Sequence, residues 1–485
     1  MGYIHIYDAL PKRPQAIHIW AQADRACVAR NYAQGDMDFF KPKVNFTKEN
    51  DGLTGMEFPF MNYMAAICYR IFGFNEFWYR FLMFLVVSAG VFAAFAFSKS
   101  LIGNSALAIC MVLLWFLSPT LDYYAPNFIP DAGSIGFVLI AWLFYFRYSN
   151  NRKGFNLILF ALFGALASLI KITSLISVIT ILIVSFAEWI NANKDHDLSL
   201  RRKSLFLIST CIIIIIPVIL WYQYAEKLNN INNQGIFTLG FHPVKSFSEF
   251  KEISAFIYYT RLFGYYSKLF FALLFILAAY ILYNIKKVDK KLLYITIILY
   301  CGDLIFLLLM YKQFQDHDYY VITLLVAPLF QLITASKILA TNFKNRNYKI
   351  VIIIILAICV LYSARFSRGN YYYRYYVENN DKNWDYTRFY GMDNYLKEMG
   401  IKKDDKVIVV YDGSFDISLY FLNLKGWTMW PGENETKSLD DAVNHKVKYI
   451  ILRNPEFLQK HTDYQKYFNH QITSYNGIGV YAMTY

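Results

Sequence analysis

Asp24 lies in "HIWAQADRACVARNYAQGDM", residues 18–37, a mostly apolar stretch of helical character. On a helix, Trp20 and Val28 fall one turn either side of it and Cys27 shares its face. A carboxylate on an apolar face is costly unless something uses it. Two readings are open: the cap of a helix beginning at Arg25, or a working acid with Arg25 and Arg30 beside it. Glu57, in "GMEFPFMNYMAAICYRIFG", poses the same choice just ahead of a proline that suits a first helical position. Asp131 in "NFIPDAG" is an acid at the mouth of an apolar run, where a helix cap competes strongly. Lys171 in "ASLIKITSL" is the only charged residue from after Gly154 to before Glu188. It either snorkels to a membrane surface or holds an anionic group such as a phosphate. Asp316, His317 and Asp318 stand in a row in "QDHDYYVITLLVAPL". That run reads as a solvated loop, or as a weak signal for a divalent metal or a phosphate.

These residue types suit one kind of reaction. Carboxylates serve as a general base or as metal ligands. A lysine, a protonated histidine or a metal stabilises the charge that develops on a phosphate leaving group. The set fits chemistry on a lipid-linked phosphate, with a divalent metal ion admitted but no metal ligand assigned.

The elements that must position these residues are membrane helices. The chain is 56% apolar with only 17% charged residues, well below the roughly 25% usual in soluble domains. Ten candidate spans are expected, at about 79–98, 105–119, 132–147, 155–171, 173–190, 204–222, 267–285, 292–311, 319–337 and 350–365. The segments 155–171 and 173–190 have almost no link, which predicts a tight turn or a broken helix at Lys171. The formal charge of +13 does not indicate a nucleic-acid partner, because many basic residues sit in short loops between apolar runs. "RYSNNRKG", "NANKDHDLSLRRK", "IKKVDKK" and "KILATNFKNRNYK" hold three or four Lys/Arg each, whereas "SPTLDYYAPNFIPD" holds none and "YKQFQDHDYY" one. Positive residues favour the cytoplasm, so all the candidate residues fall on the outer side. The six cysteines show neither disulfide nor zinc spacing and read as small apolar residues.

Three regions follow. Residues 1–78 form a first outer loop with helices at the membrane surface, one carrying a stripe of Phe60, Tyr63, Met64 and Ile67. Residues 79–365 form the helical membrane domain, and 366–485 a small outer α/β domain. Residues 1–78 hold eight acidic and eight basic residues and no apolar span, so a span that should precede residue 1 is expected to be missing. In the outer domain, "KVIVVYD" and "KYIILRN" read as buried strands. "WDYTRFYGMDNYLKEMG", "SFDISLYFLNLK", "SLDDAVNHK" and "EFLQKHTDYQKYF" read as helices, and "ITSYNGIGVYAMTY" as a hairpin. The Tyr- and Arg-rich "ARFSRGNYYYRYYVENND" joins this domain to the last span.

The ordered set of motifs resembles the protein mannosyltransferase and aminoarabinose transferase superfamily, membrane glycosyltransferases of the GT-C fold. "HIWAQADRACVARNY" and "GMEFPFMNYMAAICYRIFG" resemble the two halves of that family's first outer loop. "PNFIPDAG" resembles the Pro-Asp that opens a later span, "LIKITSL" the intramembrane lysine, and "HDYYVITLLVAPL" the late His-Asp-Tyr-Tyr span. The similarity covers about residues 15–340. It implies an inverting transfer from a sugar on a polyprenyl phosphate to a lipid, glycan or protein acceptor, at the outer face of a bacterial inner membrane. By resemblance, Asp24 is the general base and Glu57 supports the acceptor or a metal. Lys171, His317 and Tyr319 contact the donor phosphate, with Arg30, Asp131 and Asp318 in support. Some relatives carry a lysine directly after the first-loop glutamate, where this chain has Phe58.

A transporter or lipid flippase is the competing class. It predicts internal symmetry and charges at the midplane. The chain shows no repeat between halves, and its acids sit in outer loops.

Overall fold

The computed structural model describes residues 2–47, 51–232, 237, 240–342, 346–377, 385–429 and 435–483. Contacts divide the chain into two compact units: residues 1–11, 80–223 and 239–373, and residues 12–79, 224–238 and 374–485.

The first unit is built of apolar helices. Among the described residues, seven helices are long and apolar enough to cross a membrane. The count becomes eight if Phe247–Tyr265 and Lys268–Tyr283, bent by 89° at their junction, form one span. The expected count of ten is therefore not reached. Every expected segment is helical, but Ser105–Phe116 and Gly154–Ile170 are short. At 1.5 Å per residue they extend about 18 Å and about 26 Å, against a hydrocarbon core of ~30 Å.

Loop side chains start several of these helices: Asn104, Ser267 and Asp289 accept from the amides of Leu107, Phe270 and Leu292. Outward faces leave Phe92, Ile213, Leu220, Phe275 and Leu361 exposed, as lipid contact requires and water would penalise. Cys301 lies on such an exposed face, so it is not buried as its apolar context suggested. The helices Phe77–Ile102 and Asp131–Asn151 meet backbone to backbone at Gly90 and Gly136. A Cβ on Gly136 would lie 2.6 Å from the Val86 carbonyl, so only glycine permits this approach.

The last apolar helix runs from Arg346 to Tyr376. "ARFSRGNYYYRYY" is therefore a continuation of that helix rather than a separate connector, and residues 378–381 lie outside the described residues.

The second unit joins residues 12–79 and 224–238 to the C-terminal residues. Its sheet has strands β1 (Val407–Val410), β2 (Gly426–Met429), β3 (Tyr449–Leu452), β4 (Gln471–Tyr475) and β5 (Ile478–Ala482) in the order β2-β1-β3-β5-β4. β1 pairs in parallel with β2 and β3, while β5 pairs antiparallel with β3 and β4. Ile408, Val410, Met429, Ile450 and Leu452 are buried in its core. The expected hairpin forms about Asn476-Gly477, both at positive φ.

Three helices expected here are shorter or broken: "EFLQKHTDYQKYF" splits at His461 into the helix Glu456–Lys460 and a 3₁₀ turn over Thr462–Tyr467. The 384–400 segment breaks at Gly391, whose φ is +81°, into a 3₁₀ turn and the helix Met392–Glu398; Trp384 lies outside the described residues. "SFDISLYFLNLK" is helical only over Ile417–Leu422. Asn423 turns left-handed after it, and the unexpected strand β2 begins at Gly426. A Cβ on Gly426 would lie 1.8 Å from the Val407 carbonyl, so glycine admits β2 beside β1 at this point.

Candidate active site

The residues expected to carry chemistry fall into two groups, one in each unit. Asp24, Glu57 and Arg30 belong to the second unit; Asp131, Lys171, His317, Asp318 and Tyr319 belong to the first.

Asp24 sits in the second turn of the helix Ile19–Gln34. That helix is rich in alanine and is closed at its start by the Gln22 amide, which donates to the Gln15 and Ile17 carbonyls at 2.7 and 2.8 Å. Since the N-cap is His18 and the helix begins at Ile19, Asp24 does not cap a helix at Arg25. Every residue from Ala21 to Arg30 is buried, so the helix has no polar face on which to park an acid. Asp24 is 4% exposed, and its Oδ1 has no hydrogen-bond partner among the described residues. Burial raises its pKa from 3.8 to about 7 against the lowering effect of Arg25, and the charges of Glu57 and Asp412 push the same way as burial.

Glu57 also fails to cap: the next helix, Phe60–Phe72, has Pro59 as its N-cap. Arg25 holds the Glu57 carboxylate instead, with Nη2 at 2.7 Å and Nε at 2.9 Å from Oε1. Asn62 of the second helix donates to the Arg25 carbonyl at 2.8 Å. That helix buries Met61, Asn62, Ala65, Ala66 and Tyr69. The expected stripe of Phe60, Tyr63, Met64 and Ile67 is only partly covered.

Arg30 donates to the Tyr420 carbonyl at 3.2 Å and to Asp393 at 3.3 Å, and it lies over the Phe74 ring. It ties the Asp24 helix to the C-terminal residues of the same unit. Two acids that the sequence reading passed over, Asp412 and Asp416, are fully buried here, and burial raises both pKa values. Their signal was present in "DGSFDIS", an alternation of Asp and Ser typical of turns that bond their own backbone. Arg25, legible in the sequence as a cation beside Asp24, proves to be the partner of Glu57.

In the first unit, Lys171 occupies the expected break. Gly154–Ile170 ends, Lys171 is extended at φ −145°, and a single 3₁₀ turn leads into Leu175–Lys194. The Lys171 Nζ lies 2.8 Å from Asp131 Oδ1 and 4.1 Å from the centre of the Tyr320 ring. Asp131 opens its helix after the N-cap Pro130, so its side chain serves the lysine and not the cap. Asp318 is fully buried and accepts from the Tyr124 hydroxyl at 2.6 Å. Tyr319 packs edge-on to Tyr124 and lies 5.7 Å from the Lys171 Nζ. The His317 ring lies against Tyr319 and Tyr320. This is one cation among aromatic rings and carboxylates, at a point where two helices break. Among the described residues, no group of three or more His, Cys, Asp or Glu side chains is placed to hold a metal ion.

Residues 57–221 match the family described as dolichyl-phosphate-mannose-protein mannosyltransferase. No curated protein matches the chain in sequence. The structure is similar to the crystal structure of ArnT from Cupriavidus metallidurans bound to undecaprenyl phosphate, with a TM-score of 0.61 and 11% identity over 99% of this chain and 96% of that one. The apo form of the same enzyme gives a TM-score of 0.57 with the same identity and coverage. The oligosaccharyltransferase of Archaeoglobus fulgidus in its apo form gives 0.52, at 11% identity over 93% of this chain and 68% of that one. The fold is the GT-C fold of these membrane glycosyltransferases, and the chain resembles the protein mannosyltransferase and aminoarabinose transferase superfamily.

Proposed function

We propose that the protein is an inverting glycosyltransferase that moves a sugar from a polyprenyl phosphate to an acceptor at the outer face of the membrane. One observation carries this reading: a buried carboxylate with a pKa raised to about 7 and an oxygen without a partner, in a chain of GT-C fold. A base poised near neutrality is half ionised at working pH and can both take and hold a proton. Asp24 removes the proton of the acceptor's nucleophilic group. The acceptor atom bonds to the anomeric carbon, the bond from that carbon to the phosphate oxygen breaks, and the electron pair leaves with the polyprenyl phosphate.

Lys171 meets the charge on that phosphate. Its ammonium pairs with Asp131 at 2.8 Å, and His317 and Tyr319 line the same place. Glu57, through Arg25, orients the acceptor beside Asp24. The similarity to an enzyme solved with undecaprenyl phosphate supports a polyprenyl-phosphate donor, and the loop charges support a reaction on the outer side of the membrane.

The test is Asp24→Asn, assayed in membranes with a radiolabelled polyprenyl-phosphate sugar. Transfer should fall by ~100-fold or more. Undiminished transfer would remove the base from this account.

A further inference from the structure

The helix that carries Asp24 is held from outside itself. Asp416, in the turn after β1, is fully buried, and its Oδ1 accepts two backbone amides, Asn45 at 3.1 Å and Phe46 at 2.9 Å. Those residues belong to the loop that follows the Asp24 helix. The same loop runs beside β2: Gly426 donates to the Asn45 carbonyl at 3.0 Å, and Thr47 donates to the Gly426 carbonyl at 2.9 Å. It is thus a one-residue extension of the sheet edge, bridged in parallel at Phe46 and Gly426. From the loop the chain of bonds returns to the helix. The Asn45 side chain donates to the Leu419 carbonyl at 3.1 Å and accepts from Asn31 at 2.9 Å, and Asn31 also donates to the Lys43 carbonyl. Arg30, one residue earlier, donates to the Tyr420 carbonyl. Asn31 and Arg30 lie two turns beyond Asp24 on one rigid helix.

We infer that Asp416 is a positioning residue for the transfer reaction: it clamps residues 45 and 46 to the C-terminal sheet and so fixes the helix that carries Asp24. The inference rests on the reading of Asp24 as the base. Asp416 makes no hydrogen bond to Asp24 among the described residues; it acts through two amides, a loop and a helix, and its carboxyl also repels that of Asp24 electrostatically. A general base is sensitive to such support, since a misplacement on the order of 1 Å can cost ~100-fold in rate.

The chemistry of the clamp separates geometry from charge. In Asp416→Asn the carboxamide oxygen still accepts both amides, whereas Asp416→Ala accepts neither. Both variants are purified in detergent and compared with wild type by thermal unfolding, hydrogen exchange and initial rates. In Asp416→Ala, residues 45–47 should exchange faster. Its kcat should fall ~10- to 100-fold with the donor KM changed less than ~2-fold, and Asp416→Asn should restore kcat to within ~3-fold of wild type. Three results overturn the role. Asp416→Ala retains full kcat although its loop amides are released; its melting temperature drops but kcat at a permissive temperature is normal; or Asp416→Asn is as impaired as Asp416→Ala, making charge the cause. Failure of the underlying reading looks different: Asp24→Asn then transfers sugar undiminished, and the positioning role falls with it whatever Asp416→Ala does.

Discussion

At the scale of single residues, Asp24 combines a functional promise with a structural cost. A carboxylic acid raised from 3.8 to about 7 in the folded protein binds more protons folded than unfolded between those values. Stability therefore falls as pH rises through that window and stays lower above it. As the proposed base, however, Asp24 works only when ionised. The rate should climb with pH to a plateau, with an acid limb near 7, as a pH profile of kcat would show. Asp24→Asn removes the buried charge and keeps the shape. It should be inactive and yet melt at a higher temperature than wild type at pH 8, with the difference fading towards pH 4. A variant that is inactive and less stable at pH 8 would assign Asp24 to architecture. Glu57 lacks this tension, because Arg25 accepts the burden of its charge through two short hydrogen bonds.

At the scale of elements, the break at Lys171 joins two helices by charge. Asp131 is almost fully buried at the start of one helix and Lys171 lies at the end of the next. A buried pair is destabilising to break, by roughly 3–5 kcal/mol, because the remaining charge has no counter-ion. Lys171→Met alone should therefore lower the melting temperature sharply. The double variant Lys171→Met, Asp131→Leu should recover most of that loss while transfer stays abolished. Thermal unfolding and transfer assays on the two proteins decide the matter: recovery of transfer in the double variant would make Lys171 a purely structural cation.

At the scale of the whole molecule, the loop charges set a side for each end. The positive-inside preference favours the cytoplasm for the basic loops, and we propose the opposite face for the acids. A C-terminal tag should be cut by protease added to spheroplasts with intact membranes, while a tag inserted in the loop 284–290 should be cut only after lysis. Protection of the C-terminal tag would reverse the orientation and place the proposed chemistry on the cytoplasmic side. The exposed apolar faces of the long helices make the membrane itself a requirement of the fold, so release of the protein into solution needs detergent.

Much of this was legible before any coordinates. Ten apolar runs all became helices because hydropathy and the absence of breakers act locally, along one segment at a time. The break at Lys171, the strands β1 and β3 and the closing hairpin were legible for the same reason. Whether a helix is long enough to span was less so: Ser105–Phe116 and Gly154–Ile170 end where their neighbours end them. Strand β2 was hidden, since its four residues carry no alternation and depend on Gly426 fitting against Val407.

The sequence by itself determined the class of protein, its charge asymmetry and the presence of costly ionisable groups in an apolar chain, because composition and spacing are properties of the chain alone. Only the tertiary structure decided what those groups do. It gave Glu57 to Arg25 and Lys171 to Asp131. It buried Asp24 on every side of its helix with an oxygen unpartnered, and it brought Asp416 from about 370 residues away to hold the loop behind it. Partners distant in sequence are set by packing, which no local pattern records.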